Sequence, residues 1–268
     1  MKKIITLLCV GFFVVSGCSR VPLTGRKQAA WIPTGQMHSM SFTQYSQFMQ
    51  QNRPISGTAD AQMVKRVGQR ISSAVTSYLN SKNLQERVKG FKWEYNLVNS
   101  PETNAWCMPG GKIAVYTGIL PITKTEAGLA AVMGHEVAHA IAKHGNERMT
   151  KQLGISAVGA VGQAAISVRN PQQVNTFNQM YGIGSQLKAL RWGRKQELEA
   201  DEMGMIFMAK AGYNPQEAID LWRRMAANSK GQRPPEYLST HPHEATRIEA
   251  LQKILKRAKV YYRPNNRN

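Results

Sequence analysis

Apolar residues recur at helical spacing between Ala59 and Leu84, where Met63, Val64, Val67, Ile71, Val75 and Leu79 fall on one face. Phe91 to Leu97 then alternates, as a half-buried strand does. Residues 104–120 hold two short β-prone runs around Pro109-Gly110-Gly111, which predicts a hairpin. The next stripe (Leu129, Ala130, Val132, Met133, Val137, Ala140, Ile141) predicts a helix, with Thr123 and Glu126 at capping-box spacing and Gly145 as its C-cap. Further helices are expected over residues 194–210, from Pro215 to about Asn228, and from His241 to near Tyr261, the last amphipathic through Ile248, Leu251, Ile254 and Leu255. Residues 229–240 read as a loop, and 172–192 as a polar, glycine-interrupted helix. The Gly/Ala-rich run 153–168 is too short and too interrupted to span a membrane, and reads as a packed or membrane-apposed helix or a mobile loop. Together these elements predict one α+β domain, mainly helical, with a small antiparallel sheet or hairpin.

The ends of the chain modify that picture. Lys2, Lys3 and the apolar run Ile4–Val15 have the pattern of a secretion signal, and Val15-Ser16-Gly17-Cys18 resembles a bacterial lipobox. That resemblance implies a signal peptide over residues 1–17, lipidation of Cys18, a tether and N-terminal segment over 18–54, and a domain over 55–268. Ser19 after the cysteine favours the outer membrane. With Cys9 removed and Cys18 lipidated, Cys107 stands alone and no intramolecular disulfide is expected. The formal charge of +19 becomes +17 once Lys2 and Lys3 leave with the signal. Such a charge raises nucleic acid as a partner, but an exported chain meets anionic lipid or acidic neighbours instead.

Chemistry concentrates in the stripe that contains His135, Glu136 and His139. Histidines at i and i+4 on a helix share one face and can hold one zinc ion, while the glutamate beside the first can reach a metal-bound water. A catalytic zinc ordinarily has three protein ligands and an open position, so one more ligand must come from elsewhere. Metzincin spacing needs glycine and histidine where this chain has Ala142 and Gly145, which excludes that class. His144 is one residue out of register and is expected at a helix C-terminus, where the dipole favours a cation. Glu197, on a later helix, fits as the third ligand, and Asp201 one turn on is placed to hydrogen-bond the outer nitrogen of a ligand histidine. Glu199 and Glu202 point elsewhere and read as solvent or salt-bridge residues.

HEVAHAIAKH, then ELEAD, then STHPHEATR resembles the gluzincin metallopeptidase family that includes HtpX and the type I CAAX prenyl proteases, with its exported lipoprotein branch matching best. The resemblance covers roughly residues 55–260 and implies a zincin-type domain with one zinc. It implies His135, His139 and Glu197 as ligands, Glu136 as the catalytic glutamate and Asp201 as its outer-shell aspartate. His241 and Arg247 match a His-Pro…Arg pair near the zinc on the substrate side. His241 is open to two roles, hydrogen-bonding the oxyanion or capping the metal, against that of a plain surface residue. The hairpin has its counterpart too, and Asn104, Ala105 and Trp106 are the expected start of an edge that holds substrate as an added strand, against the alternative of a purely structural hairpin. The family's transmembrane helices have no counterpart here, so a lipidated CAAX-type substrate is not implied.

The expected function is therefore zinc-dependent hydrolysis of peptide bonds in misfolded or damaged envelope proteins, with envelope-assembly or quality-control partners. The competing reading is a chaperone-like or binding lipoprotein with a capped or structural zinc, for which Glu136 has no use.

Overall fold

The computed structural model describes residues 18–158, 171–181, 193–228 and 244–264. Strands β1 (Cys18–Arg20) and β2 (Lys27–Ala29) pair antiparallel as a hairpin ahead of helix α1 (Thr34–Gln51). Then come β3 (Pro54–Ile55), α2 (Ala59–Ser81), β4 (Glu94–Val98), β5 (Ala105–Met108) and β6 (Lys112–Tyr116). Helices complete the chain: α3 (Leu120–Thr123), α4 (Glu126–Ile141), α5 (His144–Val158), α6 (Pro171–Tyr181), α7 (Arg194–Lys210), α8 (Gln216–Asn228) and α9 (Glu244–Tyr261). The α+β, mainly helical architecture agrees with the sequence pattern. Residues 18–54, expected as tether and N-terminal segment, supply a hairpin and a helix that pack on the rest, with Val21, Ile32, Met37, Tyr45 and Phe48 buried.

The main sheet has the order β3-β4-β6-β5. Its outer pairs are antiparallel, but β4 and β6 run parallel, Glu94 opposite Lys112 and Val98 opposite Tyr116. The expected hairpin is present, turning through Gly110 and Gly111 at φ +89° and +86°, a backbone region where a side chain is strained. Period-two alternation divides its residues between two cores. Ala105, Cys107, Ile113 and Val115 face α2, α4 and α7, whereas Trp106, Met108, Ala114 and Tyr116 face α1, α5 and α6. Covered on both sides, β5 and β6 read as nearly continuous apolar runs.

Helix α4 is the centre of the larger core, with every residue from Gly128 to Ile141 buried. Its N-cap is Thr125, whose side chain accepts from the Gly128 amide at 3.0 Å. Thr123 belongs instead to α3, where its hydroxyl donates to the Leu120 carbonyl, so the capping box expected at Thr123 and Glu126 is not the one formed. The chain also leaves the helix earlier than a cap at Gly145 requires. Lys143 takes a left-handed conformation (φ +57°), its ammonium donates to Thr34 Oγ1 at 2.9 Å, and α5 begins at His144.

Helices α4 and α7 cross on glycine. A Cβ at Gly204 would lie 2.7 Å from the backbone nitrogen of His135, and one at Gly134 would lie 2.9 Å from the Gly204 carbonyl oxygen. Both clashes are with backbone, which cannot swing aside as a side chain does. Gly204→Ala is accordingly expected to destabilise the fold by about 1–3 kcal/mol, as overpacking does, seen as a lower urea midpoint at unchanged slope. Because the crossing lies at His135, the same variant should also bind zinc more weakly.

Candidate metal centre

Helical periodicity places His135 and His139 on one face of α4, and Glu197 and Asp201 on one face of α7. The glycine crossing lets these faces meet. His135 Nε2 lies 3.0 Å from His139 Nε2, 3.5 Å from Glu197 Oε2, and His139 Nε2 lies 3.4 Å from Glu197 Oε1. All three side chains are buried. Tetrahedral zinc with bonds of about 2.0–2.2 Å requires ligand atoms about 3.3–3.5 Å apart. Both histidine–glutamate separations meet this and the histidine–histidine one is shorter, so the donor set fits the ion in kind and nearly in size.

The surroundings hold these donors in place. Asp201 Oδ1 lies 3.0 Å from His135 Nδ1, as the i, i+4 spacing predicts. Arg247 is fully buried, donating through Nε and Nη2 to Asp201 (2.7 and 2.5 Å) and through Nη1 to Glu197 Oε2 (2.8 Å). Its guanidinium also lies 3.6 Å from the ring centre of Trp222. Arg247, expected near the zinc on the substrate side, lies against the ligands themselves, its Nη2 3.4 Å from His135 Nε2, and α9, which carries it, packs across α7 where two buried carboxylates demand a cation. Burial and the charge of Arg247 both pull the His135 pKa down, yet hydrogen bonds to Asp201 and Glu197 outweigh them and raise it to about 9. Burial drives His139 well below the usual histidine range, so that ring is neutral. Burial opposes ionisation of Asp201, but the Arg247 charge prevails and holds its carboxyl low.

Glu136 is buried beside His135, and its charge reaches Cys107 on β5. Burial first, and then Glu136, push the Cys107 thiol well up, which makes it a poor nucleophile. Strand β5 ends the sheet next to α4, where the substrate edge was expected. The Tyr116 amide donates to the Asn104 carbonyl at 3.0 Å, so by antiparallel alternation the backbones of Ala105 and Cys107 face away from β6. Asn104 Oδ1 accepts from the Ala105 amide at 2.9 Å. Trp106 does not share that outer side. Its backbone faces β6, and its indole packs against Tyr45 and Phe48 and donates to Tyr116 Oη. His241 lies outside the described residues.

Of two further residues, His144 was expected elsewhere, whereas Glu199 takes the salt-bridge half of its expected role. His144, expected as a C-terminal cation, is fully buried at the start of α5, 2.8 Å from His139 through Nδ1 and 2.9 Å from Glu199 through Nε2. Burial holds its pKa below the usual range, so it is neutral. Glu199 is buried rather than solvated, and its ion pair is with Arg26 at 2.7 Å. Burial would raise the Glu199 pKa, but hydrogen bonds from His144, Thr24 and Arg26 lower it instead. The position of Glu199 two residues past Glu197 signals a different helix face, but nothing local signals Arg26.

A family model described as peptidase family M48 matches residues 61–255, well over half of the chain. The chain belongs to peptidase family M48. Zinc is the cofactor of M48 metallopeptidases and of this chain, and among the described residues His135, His139 and Glu197 form the group able to hold it. Relatives include the mitochondrial metalloendopeptidase OMA1 of Schizosaccharomyces pombe, 38% identical over 170 residues (63% of this chain, 48% of the relative). OMA1 of Saccharomyces cerevisiae is 36% identical over 180 residues (65% of this chain, 50% of the relative). The beta-barrel assembly-enhancing protease of Yersinia pestis is 27% identical over 160 residues (58% of this chain, 33% of the relative). The chain thus spans half or less of the length of these curated relatives.

Proposed function

We propose that this M48 chain is a zinc-dependent endopeptidase, lipid-anchored in a bacterial envelope, that cleaves misfolded or damaged envelope proteins. The observation that carries the activity is the convergence of His135, His139 and Glu197 at zinc-ligand spacing with Glu136 on the same buried helix. When bound, zinc supplies a Lewis acid and draws the pKa of a water toward neutrality. Glu136 takes the proton of the attacking water and returns it to the leaving amine. Asp201 holds His135, and Arg247 braces Asp201 and Glu197, so both act as positioning residues. His241 serves the oxyanion or caps the metal at rest.

Substrate binds in this reading as a strand along the outer side of β5. Ala105 and Cys107 present the backbone, and an incoming peptide competes with Asn104 Oδ1 for the Ala105 amide. Partners and site of action rest on two supports. The lipobox-like Val15-Ser16-Gly17-Cys18 favours an outer-membrane lipoprotein facing the periplasm, and the name of the Yersinia pestis relative, a beta-barrel assembly-enhancing protease, favours envelope assembly or quality control as the setting. No described helix is long and apolar enough to cross a membrane.

The activity is tested by casein hydrolysis, which should stop on chelation and return with about one equivalent of zinc. Hydrolysis that survives complete metal removal would contradict the proposal. The anchor is tested separately. Cys18→Ala is expected to move the protein from membranes to the soluble periplasmic fraction, and a variant that still sediments in high salt would exclude lipid attachment there.

A further inference from the structure

Each zinc-facing histidine has a second ring nitrogen, and the two are satisfied differently. His135 Nδ1 meets the Asp201 carboxylate directly. His139 Nδ1 meets a second imidazole, His144, at 2.8 Å, and only behind that a carboxylate, with His144 Nε2 2.9 Å from Glu199 Oε2. Glu199 in turn accepts from the Thr24 hydroxyl through Oε1 and from Arg26 Nε at 2.7 Å through Oε2.

With His139 Nε2 turned to His135 and Glu197, the protons along this line can be arranged in one way. The His139 proton sits on Nδ1 and is donated to a bare His144 Nδ1. The His144 proton then sits on Nε2 and is donated to Glu199, which accepts at both oxygens. Thr24 and Arg26 lie in the loop between β1 and β2, which is tied by the Val21 amide to the Arg26 carbonyl at 2.8 Å. Arg26 is also clamped to Glu147 of α5 by Nη1 at 3.0 Å and Nη2 at 2.9 Å. The hairpin is thus wedged between α5 and α7 with a donor on the far end of the histidine line.

We propose that the β1–β2 hairpin is a working part of the metal site: Thr24 and Arg26, acting through Glu199 and His144, fix the tautomer and ring orientation of His139 and so set how tightly zinc is held. These four are positioning residues. Docking of the hairpin and loading of zinc become one coupled event, although the hairpin ends more than a hundred residues before His135, the first of the zinc-facing residues. The proposal rests on the zinc reading of His135, His139 and Glu197.

The test uses the full chain with two readouts: zinc affinity by chelator competition, and imidazole N–H resonances of the metal-free protein. Arg26→Ala and Glu199→Gln are each expected to weaken zinc binding about 10–100-fold, the usual cost of removing an outer-shell partner. The double variant should be little worse than the stronger single one, because both cut the same line. Lys27→Ala, at an exposed position in β2, should stay near the wild-type affinity. In the metal-free chain, a protected imidazole proton between His139 and His144 should be present in wild type and lost in Arg26→Ala and Glu199→Gln. If wild type takes up no zinc but this proton behaves so, the zinc reading fails and the positioning line stands. If zinc binds and the two variants change neither readout, or Lys27→Ala weakens binding as much as Arg26→Ala, the hairpin proposal is overturned and the zinc reading survives.

Discussion

Glu136→Gln is expected to retain about one zinc per chain while casein hydrolysis falls by roughly 10²–10⁴-fold, the loss typical when a general base is removed. Both halves of this result follow from where Glu136 sits. It lies next to His135 in sequence, and so points roughly 100° away around α4, outside the donor group formed by His135, His139 and Glu197. Glutamine keeps the shape and burial of the side chain but cannot take up a proton near neutral pH. Zinc content by atomic absorption and initial rates on casein check the two halves. A variant that loses both zinc and activity would make Glu136 a ligand, and one that keeps both would remove it from the reaction.

The second large effect is on stability. Arg247→Met is expected to destabilise the fold by about 3–5 kcal/mol, the range seen when one partner of a buried ion pair is removed. Arg247 is 0% exposed and is hydrogen-bonded to both Glu197 and Asp201, so its loss leaves two buried carboxylates with His135 alone to offset them. Methionine approximates the aliphatic stem, so packing against Trp222 is partly retained and the effect reads the charge. Arg247→Lys should recover only part of it, since a lone ammonium cannot serve both carboxylates with the geometry of the guanidinium fork. Urea unfolding of the metal-free forms gives the comparison. A loss below about 1 kcal/mol, as for an exposed pair, would mean that the carboxylates do not depend on this arginine.

The parts of the candidate site whose geometry was legible in the sequence are those set by one helix at a time. His135 and His139, and Glu197 and Asp201, are i, i+4 pairs, and that spacing carries over directly to faces of α4 and α7. The hairpin through Gly110 and Gly111 was equally legible, because turn chemistry is local. Relations between elements were not. The parallel pairing of β4 with β6 leaves no mark on either strand, since each is compatible with both directions. Gly134 and Gly204 look like weak points in helices until the crossing makes each indispensable to the other's helix. His144 was misplaced because the helix end was put at Gly145, whereas the chain turns at Lys143 and folds the imidazole back over His139. Arg247 was placed near the zinc, but its pairing with both Glu197 and Asp201 was not foreseen, as its motif carries no information on the packing of α9 against α7. The contact of Arg26 with Glu199 joins residues 173 apart in the chain, and only the folded structure reveals it.

The most direct test of the central claim is a crystal of zinc-loaded protein measured on both sides of the zinc absorption edge. The account predicts one strong anomalous peak within bonding distance, about 2.0–2.2 Å, of His135 Nε2, His139 Nε2 and the Glu197 carboxylate, with Glu136 outside the coordination shell. A peak held by other residues, or no peak between α4 and α7 in a protein that hydrolyses casein, would contradict it.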